Sequence, residues 1–366
     1  MLTKQIGLGA SILAANVRTP VLPYKVTFVA TYHCNFRCEM CNIWQKKSKD
    51  EMTPAEVELF FDRWPQFKWV QLTGGELLMR RDIDDVIAAI QKGRSLYMIS
   101  FPTTGWFGDK TIKVVENTLK RGIGRLMVTI SIDGPKAVHE EMRGLPGAWD
   151  KGLETYRRLR GIKRGDFQTV VGMTLMAKNA GLVDDTIGAI RQVIPDFERR
   201  ELHVNIGHES GHYYDNVGVA KLAPEHERVV KAIEDHRRAI GTGVHPVQFL
   251  EHRYQALVGT YYKTGRSPLP CTALSSSCFI DPYWNVFACS IWDAKVGNLR
   301  DNGFNLKALW DSPVRRRLRQ DVADENCPHC WTPCEAYTTI MGNLVRAARP
   351  AAPQQASLPV EAAPRS

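Results

Sequence analysis

No stretch of this chain reaches the roughly eighteen apolar residues that a membrane-spanning helix needs, so nothing in it reads as a transmembrane segment. Blocks of like charge are also missing. The 48 Lys and Arg and the 39 Asp and Glu are spread along 366 residues, and the densest basic stretch, Arg315-Arg316-Arg317 with Arg319, reads as a solvated helix face. That pattern gives no reason to expect nucleic acid as a partner. A secreted disulfide framework is excluded on different grounds: the chain is long, and its nine cysteines carry the spacings of metal ligands. The apolar stretch Ile6 to Val17 after Lys4 resembles the core of a signal peptide, but no convincing cleavage site follows it, and it reads instead as an amphipathic or buried helix. A reducing cytoplasm is therefore expected, with weak membrane-surface contact by this segment left open.

What is present is dominated by His33-Cys34-Asn35-Phe36-Arg37-Cys38-Glu39-Met40-Cys41. A [4Fe-4S] cluster takes four ligands and iron favours thiolate, so the C-x3-C-x2-C loop of Cys34, Cys38 and Cys41 supplies three and leaves one iron open. Closely spaced cysteines also build zinc sites, but those usually close at four ligands, and His33 stands too near Cys34 to be an obvious fourth. Downstream lie Thr73-Gly74-Gly75-Glu76, Thr103-Thr104-Gly105 and Ser131-Ile132-Asp133-Gly134, then His139 and Arg143-Gly144.

This series resembles the radical S-adenosylmethionine (SAM) superfamily. The resemblance implies that the open iron chelates SAM, that Gly74 and Gly75 let backbone approach it, and that the Glu76 carboxylate receives its ammonium. It also implies that Ser131 and Arg143 contact ribose and carboxylate, with Asp133 in the same stretch and Thr104 at the matching strand end. His139 reads as structural. Met40 stands where the family usually has an aromatic, leaving any adenine contact there to backbone or thioether. Leu77 and Thr104 replace the commoner proline and asparagine.

Between Tyr24 and about Ile206, short β-branched runs alternate with helical periods, which predicts parallel strands and crossover helices. Strands are expected at Val26 to Tyr32, Trp69 to Leu72, Leu96 to Pro102, Arg125 to Ile132, Thr169 to Leu175 and Glu201 to Ile206. The segment Thr53-Pro54-Ala55-Glu56 is a capping box with proline at the first helical position. The fold expected is α/β: a partial (β/α)6 barrel of TIM type followed by a small cysteine-rich domain. The boundaries are an amphipathic segment at 1–23, the barrel at 24–222, a helical connector at 223–266, the auxiliary domain at 267–346 and a disordered tail at 347–366. The motifs all fall just after strands, where barrels of this kind place their chemistry. His208 and His212, in the polar run after the sixth strand, are either cavity or surface residues.

Six further cysteines follow: Cys271, Cys278, Cys289, Cys327, Cys330 and Cys334. With Ile280-Asp281-Pro282-Tyr283-Trp284 and Gly297-Asn298-Leu299 they resemble the SPASM/twitch extension of radical SAM enzymes, which implies at least one auxiliary [4Fe-4S] cluster. Cys271, Cys278 and Cys289 are candidates for three of its ligands, with a fourth from the Cys327 to Cys334 run. Trp284 occupies a position usually held by glycine, the cysteine run is shorter than usual, and a zinc ribbon remains the alternative. The resemblance implies reductive cleavage of SAM and hydrogen abstraction from a small-molecule, lipid-linked or peptide substrate. Ser290 replaces the aspartate of sulfatase-maturing relatives, and only about two dozen residues precede the first strand, which tilts the expectation towards a small molecule, a lipid-linked substrate or a peptide delivered by a separate protein. The basic surface suits a flavodoxin- or ferredoxin-like electron donor. The alternatives are a non-enzymatic iron-sulfur or zinc protein and, from the charge, a nucleic-acid-modifying enzyme.

Overall fold

The computed structural model describes residues 2–218, 226–243 and 245–346. The expected disordered tail at 347–366 and the expected start of the connector at 223–225 lie outside them. A helix α1 (Leu2–Val17) precedes six parallel strands: β1 (Lys25–Thr31), β2 (Trp69–Gly74), β3 (Met98–Thr103), β4 (Arg125–Ser131), β5 (Phe167–Leu175) and β6 (Leu202–Ile206). Between them run α2 (Pro54–Arg63), α3 (Ile83–Gln91), α4 (Gly108–Arg121), α5 (Lys136–Arg143), α6 (Ala148–Arg160) and α7 (Val183–Val193). After β6 come α8 (His226–Ile240) and α9 (Pro246–Thr264), the hairpin strands β7 (Ser277–Ile280), β8 (Asn285–Phe287) and β9 (Lys295–Asn298), and α10 (Leu306–Trp310), α11 (Pro313–Ala323) and α12 (Pro333–Met341).

Period-two alternation builds the barrel. Val70 and Leu72 of β2, Ile99 and Phe101 of β3, and Leu126, Val128 and Ile130 of β4 point outward into the helix layer and are buried there. Their neighbours Gln71, Thr73, Ser100, Met127, Thr129 and Ser131 line the lumen. The α2 capping box forms as the sequence predicts: Glu56 N donates to Thr53 Oγ1 (3.2 Å) and Thr53 N to Glu56 Oε2 (2.8 Å).

The six strands do not close. The sheet order is β6-β5-β4-β3-β2-β1-β7-β8-β9, so the auxiliary hairpin extends the barrel sheet, with β7 parallel to β1 in the register Lys25↔Ser277 to Phe28↔Ile280. The segment expected as a connector contributes to the wall. Glu251 of α9 accepts from Val204 N of β6 (3.2 Å), and Tyr337 of α12 donates to the same carboxylate, so α9 and α12 stand where a closed barrel would have further strands. Lys25, fully buried, donates to Thr27 Oγ1 (2.6 Å) and to Cys334 O (2.5 Å), fastening the start of α12 to the first strand.

Trp284, in the β7–β8 turn, has φ +67°, the left-handed region where glycine is at home, which accounts for the glycine usual there. Its fully buried ring packs on Phe28, Phe60 and Phe304 at centroid distances of 5.5, 5.1 and 5.0 Å. Backbone strain of about 1–2 kcal/mol is outweighed by burying an indole between barrel and hairpin. Trp284→Gly should therefore lower stability by about 3 kcal/mol although it relieves the turn; an unchanged urea midpoint would contradict that balance.

Candidate active site

The loop after β1 is held against two other motifs. Arg37 N donates to Arg143 O (3.2 Å) and Glu39 N to Met142 O (2.9 Å), while Glu76 N donates to His33 O (2.9 Å). These approaches require glycine. A Cβ on Gly75 would stand 2.3 Å from His33 O and 2.9 Å from Cys34 Cβ, and one on Gly144 (φ +63°) would stand 2.5 Å from Arg37 O. Cys34, Cys38 and Cys41 are free thiols that line one large cavity of about 1040 Å³ at the C-terminal ends of the strands. Burial pushes the Cys34 thiol up to about 11 and Cys41 up to about 12, and raises Cys38 as well. Only a bound cation would hold them as thiolates at neutral pH.

Among the described residues, no three His, Cys, Asp or Glu side chains converge as the ligands of a single metal ion would. Cubane ligation does not ask for that, because each cysteine binds its own iron at a separate corner. The three thiols on one cavity wall, with no side chain possible at Gly75, fit a cluster better than a lone zinc ion.

The remaining motifs surround the same space. Glu76 is buried, and its four lone-pair sites are taken by Leu78 N (3.2 Å), Thr103 Oγ1 (2.8 Å), Thr104 N (2.8 Å) and Thr104 Oγ1 (2.6 Å). It can attract a cation by its charge, but no lone pair is left over, and its carboxylate also ties the ends of β2 and β3 together. Gly74, Thr104 and Ser131 line the cavity, as does Met40, which packs with Met142, Met176 and Val138. Arg143 lines it too, donating from Nε to Asp133 Oδ2 (2.5 Å) and lying 3.9 Å from Cys38 Sγ through Nη1.

Asp133 sits elsewhere than the sequence suggests. It is fully buried and does not line the cavity; it accepts from Arg143 and from Thr174 N (2.9 Å), so it orients the arginine from behind. His139 is structural, as expected: Asp133 N donates to its Nδ1 (3.1 Å), and burial, reinforced by Arg143, lowers its pKa to about 4.

The six later cysteines separate. Cys271, Cys289 and Cys330 gather around Ala273 and Ile291, and Cys327 is near enough to act on the Cys271 thiol. Cys278 does not join them; strand alternation on β7 turns it into the main core, where it is fully buried. Cys334 faces the barrel cavity, with Gln71 Nε2 3.3 Å from its sulfur.

Sequence reasoning did not foresee the bridging role of residues 207–216. Asn42 N donates to Tyr214 O (2.8 Å) and Asn216 Nδ2 to Met40 O (2.8 Å), which holds the first cysteine loop. Ser210 Oγ donates to Ser290 O (2.7 Å), and His212 Nε2 lies 3.0 Å from Cys289 O, which holds the second set. His212 also stacks on Phe287 at 4.3 Å, while His208 lines the cavity, and burial lowers both to about 4. The polar run His208-Glu209-Ser210 was the available signal, but a polar run does not say what it bonds to. Tyr213, whose OH is 2.6 Å from Thr73 Oγ1, left no signal.

A partial barrel with a three-cysteine loop at its strand ends and a second cysteine set beside it defines a class of iron-sulfur enzymes. Residues 28–188 match the family model described as the radical SAM superfamily, and residues 271–331 match the SPASM model, described as an iron-sulfur cluster-binding domain. The chain belongs to the radical SAM superfamily. An AdoMet-dependent heme synthase of Methanosarcina barkeri is 24% identical over 331 residues, covering 81% of this chain and 85% of that protein. The structure of native anSMEcpe with bound AdoMet matches 87% of this chain and 97% of that one with a TM-score of 0.57 at 15% identity. Streptococcus suis SuiB bound to precursor peptide SuiA matches 90% of this chain and 73% of that one, also at 0.57, with 13% identity. The radical SAM domain carries a [4Fe-4S] cluster and binds SAM, and the SPASM domain binds auxiliary iron-sulfur.

The histidine environment gives a test. Between pH 6.5 and 4 the unfolded chain binds a proton at His139 that the folded chain refuses, so this stabilisation is complete above 6.5 and is lost as pH falls towards 4. From pH 6.5 to 5 the loss should be about 2 kcal/mol for this residue. His139→Gln should flatten the pH dependence of urea unfolding over that range; an unaltered slope would refute the assignment.

Proposed function

We propose that Cys34, Cys38 and Cys41 hold the SAM-binding cluster and that SAM lies between that loop and Gly74, Gly75, Glu76, Thr104, Ser131 and Arg143. The observation that carries this reading is the convergence of all these residues on one cavity at the strand ends. The bound cofactors supply one-electron cleavage of SAM to methionine and a 5′-deoxyadenosyl radical able to abstract hydrogen from a C–H bond. The chain itself orients and shields. Arg143, held by Asp133, presents a fixed cation to a carboxylate, Glu76 presents negative charge to an ammonium, and Met40 offers a thioether to a flat ring. The lumen below holds the small-molecule, lipid-linked or peptide substrate.

The auxiliary cluster is assigned to Cys271, Cys289 and Cys330, which group together, with Cys327 of the following run as the fourth ligand; Cys278 and Cys334 stand outside that group. The net charge of +9 suits an acidic flavodoxin- or ferredoxin-like donor. Among the described residues no helix is long and apolar enough to cross a membrane, so contact with a bilayer would be peripheral, through α1.

Anaerobic reconstitution with iron and sulfide tests the assignment. Replacing Cys34, Cys38 and Cys41 with alanine should abolish formation of 5′-deoxyadenosine and remove roughly four irons per chain while auxiliary iron stays. Cys330→Ser should remove auxiliary iron, and Cys278→Ser and Cys334→Ser should retain it. Loss of iron in Cys334→Ser equal to that in Cys330→Ser would reverse the ligand assignment.

A further inference from the structure

The cavity that holds the cysteine loop does not end at the active site. It continues down the lumen to the opposite mouth, where Tyr97, Gly124, Arg125 and Gly165, at or just before the strand starts, line it together with Leu8, Gly9 and Ile12 of α1. From Arg125 to Ser131, β4 alone spans about 20 Å, more than the ~15 Å of hydrocarbon in one bilayer leaflet. Full TIM barrels fill this space with layered side chains. Here the lining includes small residues, Ser100 and Gly172, and at Gly172 a Cβ would stand 2.6 Å from Thr129 Cγ2, so that position accepts no side chain.

Both ends of the lining are mixed. Near the cysteine loop Thr73, Thr129, Ser131 and Asn205 stand among Phe36 and Met40; at the far mouth Leu8, Ile12, Trp69, Met98 and Leu250 form an apolar strip beside the polar Gln5, Arg125, Asp166, His203 and His245. The apolar surface continues outside. Leu2, Ile6, Leu13 and Val17 fall on one face of α1 and are 69, 61, 65 and 85 % exposed. Lys4 and Arg18 stand near the two ends of α1, and Arg94, Lys120 and Lys163, at or beside the loops that enter the strands on the same side of the barrel, are exposed cations. An apolar helix face among cations complements an anionic bilayer surface.

We infer that the barrel takes a long-chain membrane lipid in through its N-terminal mouth beneath α1, with the polar head towards the cysteine loop and the hydrocarbon chain along the strip of Leu8, Ile12, Trp69, Met98 and Leu250. This rests on the radical-enzyme reading and names its substrate class. The bilayer is the occupant of the α1 face, because that face is apolar and exposed near surface cations, while another face of the same helix lines the mouth through Leu8 and Ile12.

The reconstituted full-length protein should co-float with phosphatidylcholine vesicles that contain phosphatidylglycerol, far less with phosphatidylcholine alone, and less as salt rises. Ile6→Glu with Leu13→Glu, both on the exposed face, should weaken that partition by at least about tenfold. Gly9→Trp sets an indole on a residue that lines the passage; no atom lies within 4 Å of a Cβ there, and a helical glycine gains propensity on substitution. It should keep vesicle binding but lose uptake of a pyrene-labelled phosphatidylglycerol, read as loss of excimer transfer to the protein. Uptake by Gly9→Trp equal to the parent, or equal binding to neutral and anionic vesicles, would overturn the inference. Formation of 5′-deoxyadenosine from SAM should be the same in the parent and in Ile6→Glu with Leu13→Glu, whose positions lie outside the lumen. If the parent forms none, the radical-enzyme reading fails, while the vesicle and uptake results still decide whether the lumen admits lipid.

Discussion

Strand β1 is paired on both sides, to β2 within the barrel and to β7 of the auxiliary hairpin, and the rest of the structure depends on that double pairing. A six-stranded partial barrel has two edges, and an unpaired edge leaves a row of backbone donors and acceptors unsatisfied. Running β7 parallel to β1 satisfies one edge and fixes the second cysteine set relative to the first through a hydrogen-bonded ladder instead of a flexible linker. Buried Lys25 strengthens the junction, since its ammonium finds Thr27 and the Cys334 carbonyl across the seam. Removing those acceptors would strand a charge in the core, which ordinarily costs several kcal/mol.

The other side of the opening is closed by helices. Glu251 of α9 caps a free amide of β6 and takes the Tyr337 hydroxyl of α12. Above them, residues 207–216 bond to both cysteine regions, to Met40 on one side and Cys289 on the other. The two metal-binding regions are thus coupled twice, by the sheet from below and by this loop from above. A shift of the auxiliary hairpin would be felt at the first cysteine loop without any contact between the clusters.

Much of this was legible in the residues. All six barrel strands lie where β-branched runs alternate with helical periods, and the Thr53 capping box and the gathering of motifs at strand ends follow from local chemistry that a sequence displays directly. What was hidden depends on partners far away in the chain. Cys278 and Cys334 look like ligands by spacing, yet the register of β7 against β1 turns one into the core, and the seating of α12 turns the other into the lumen. Asp133 sits in a cofactor motif but serves Arg143, which only the fold around it could reveal. Trp284 departs from the usual glycine because aromatic partners on two domains make its left-handed backbone tolerable.

The pairing of β1 with β7 also sets an order of events during synthesis. Phe28 must wait for Ile280, about 250 residues later, which at ~5–20 residues per second is on the order of tens of seconds. Throughout that interval the nascent barrel has its first cysteine loop in place and one flank open, reachable from the side by a carrier delivering iron and sulfide. Once α12 and the hairpin dock, that flank is closed and the loop keeps only the partial exposure of Cys34, Cys38 and Cys41 at the strand ends. Iron loaded before chain completion and iron loaded afterwards would therefore reach this centre by different routes.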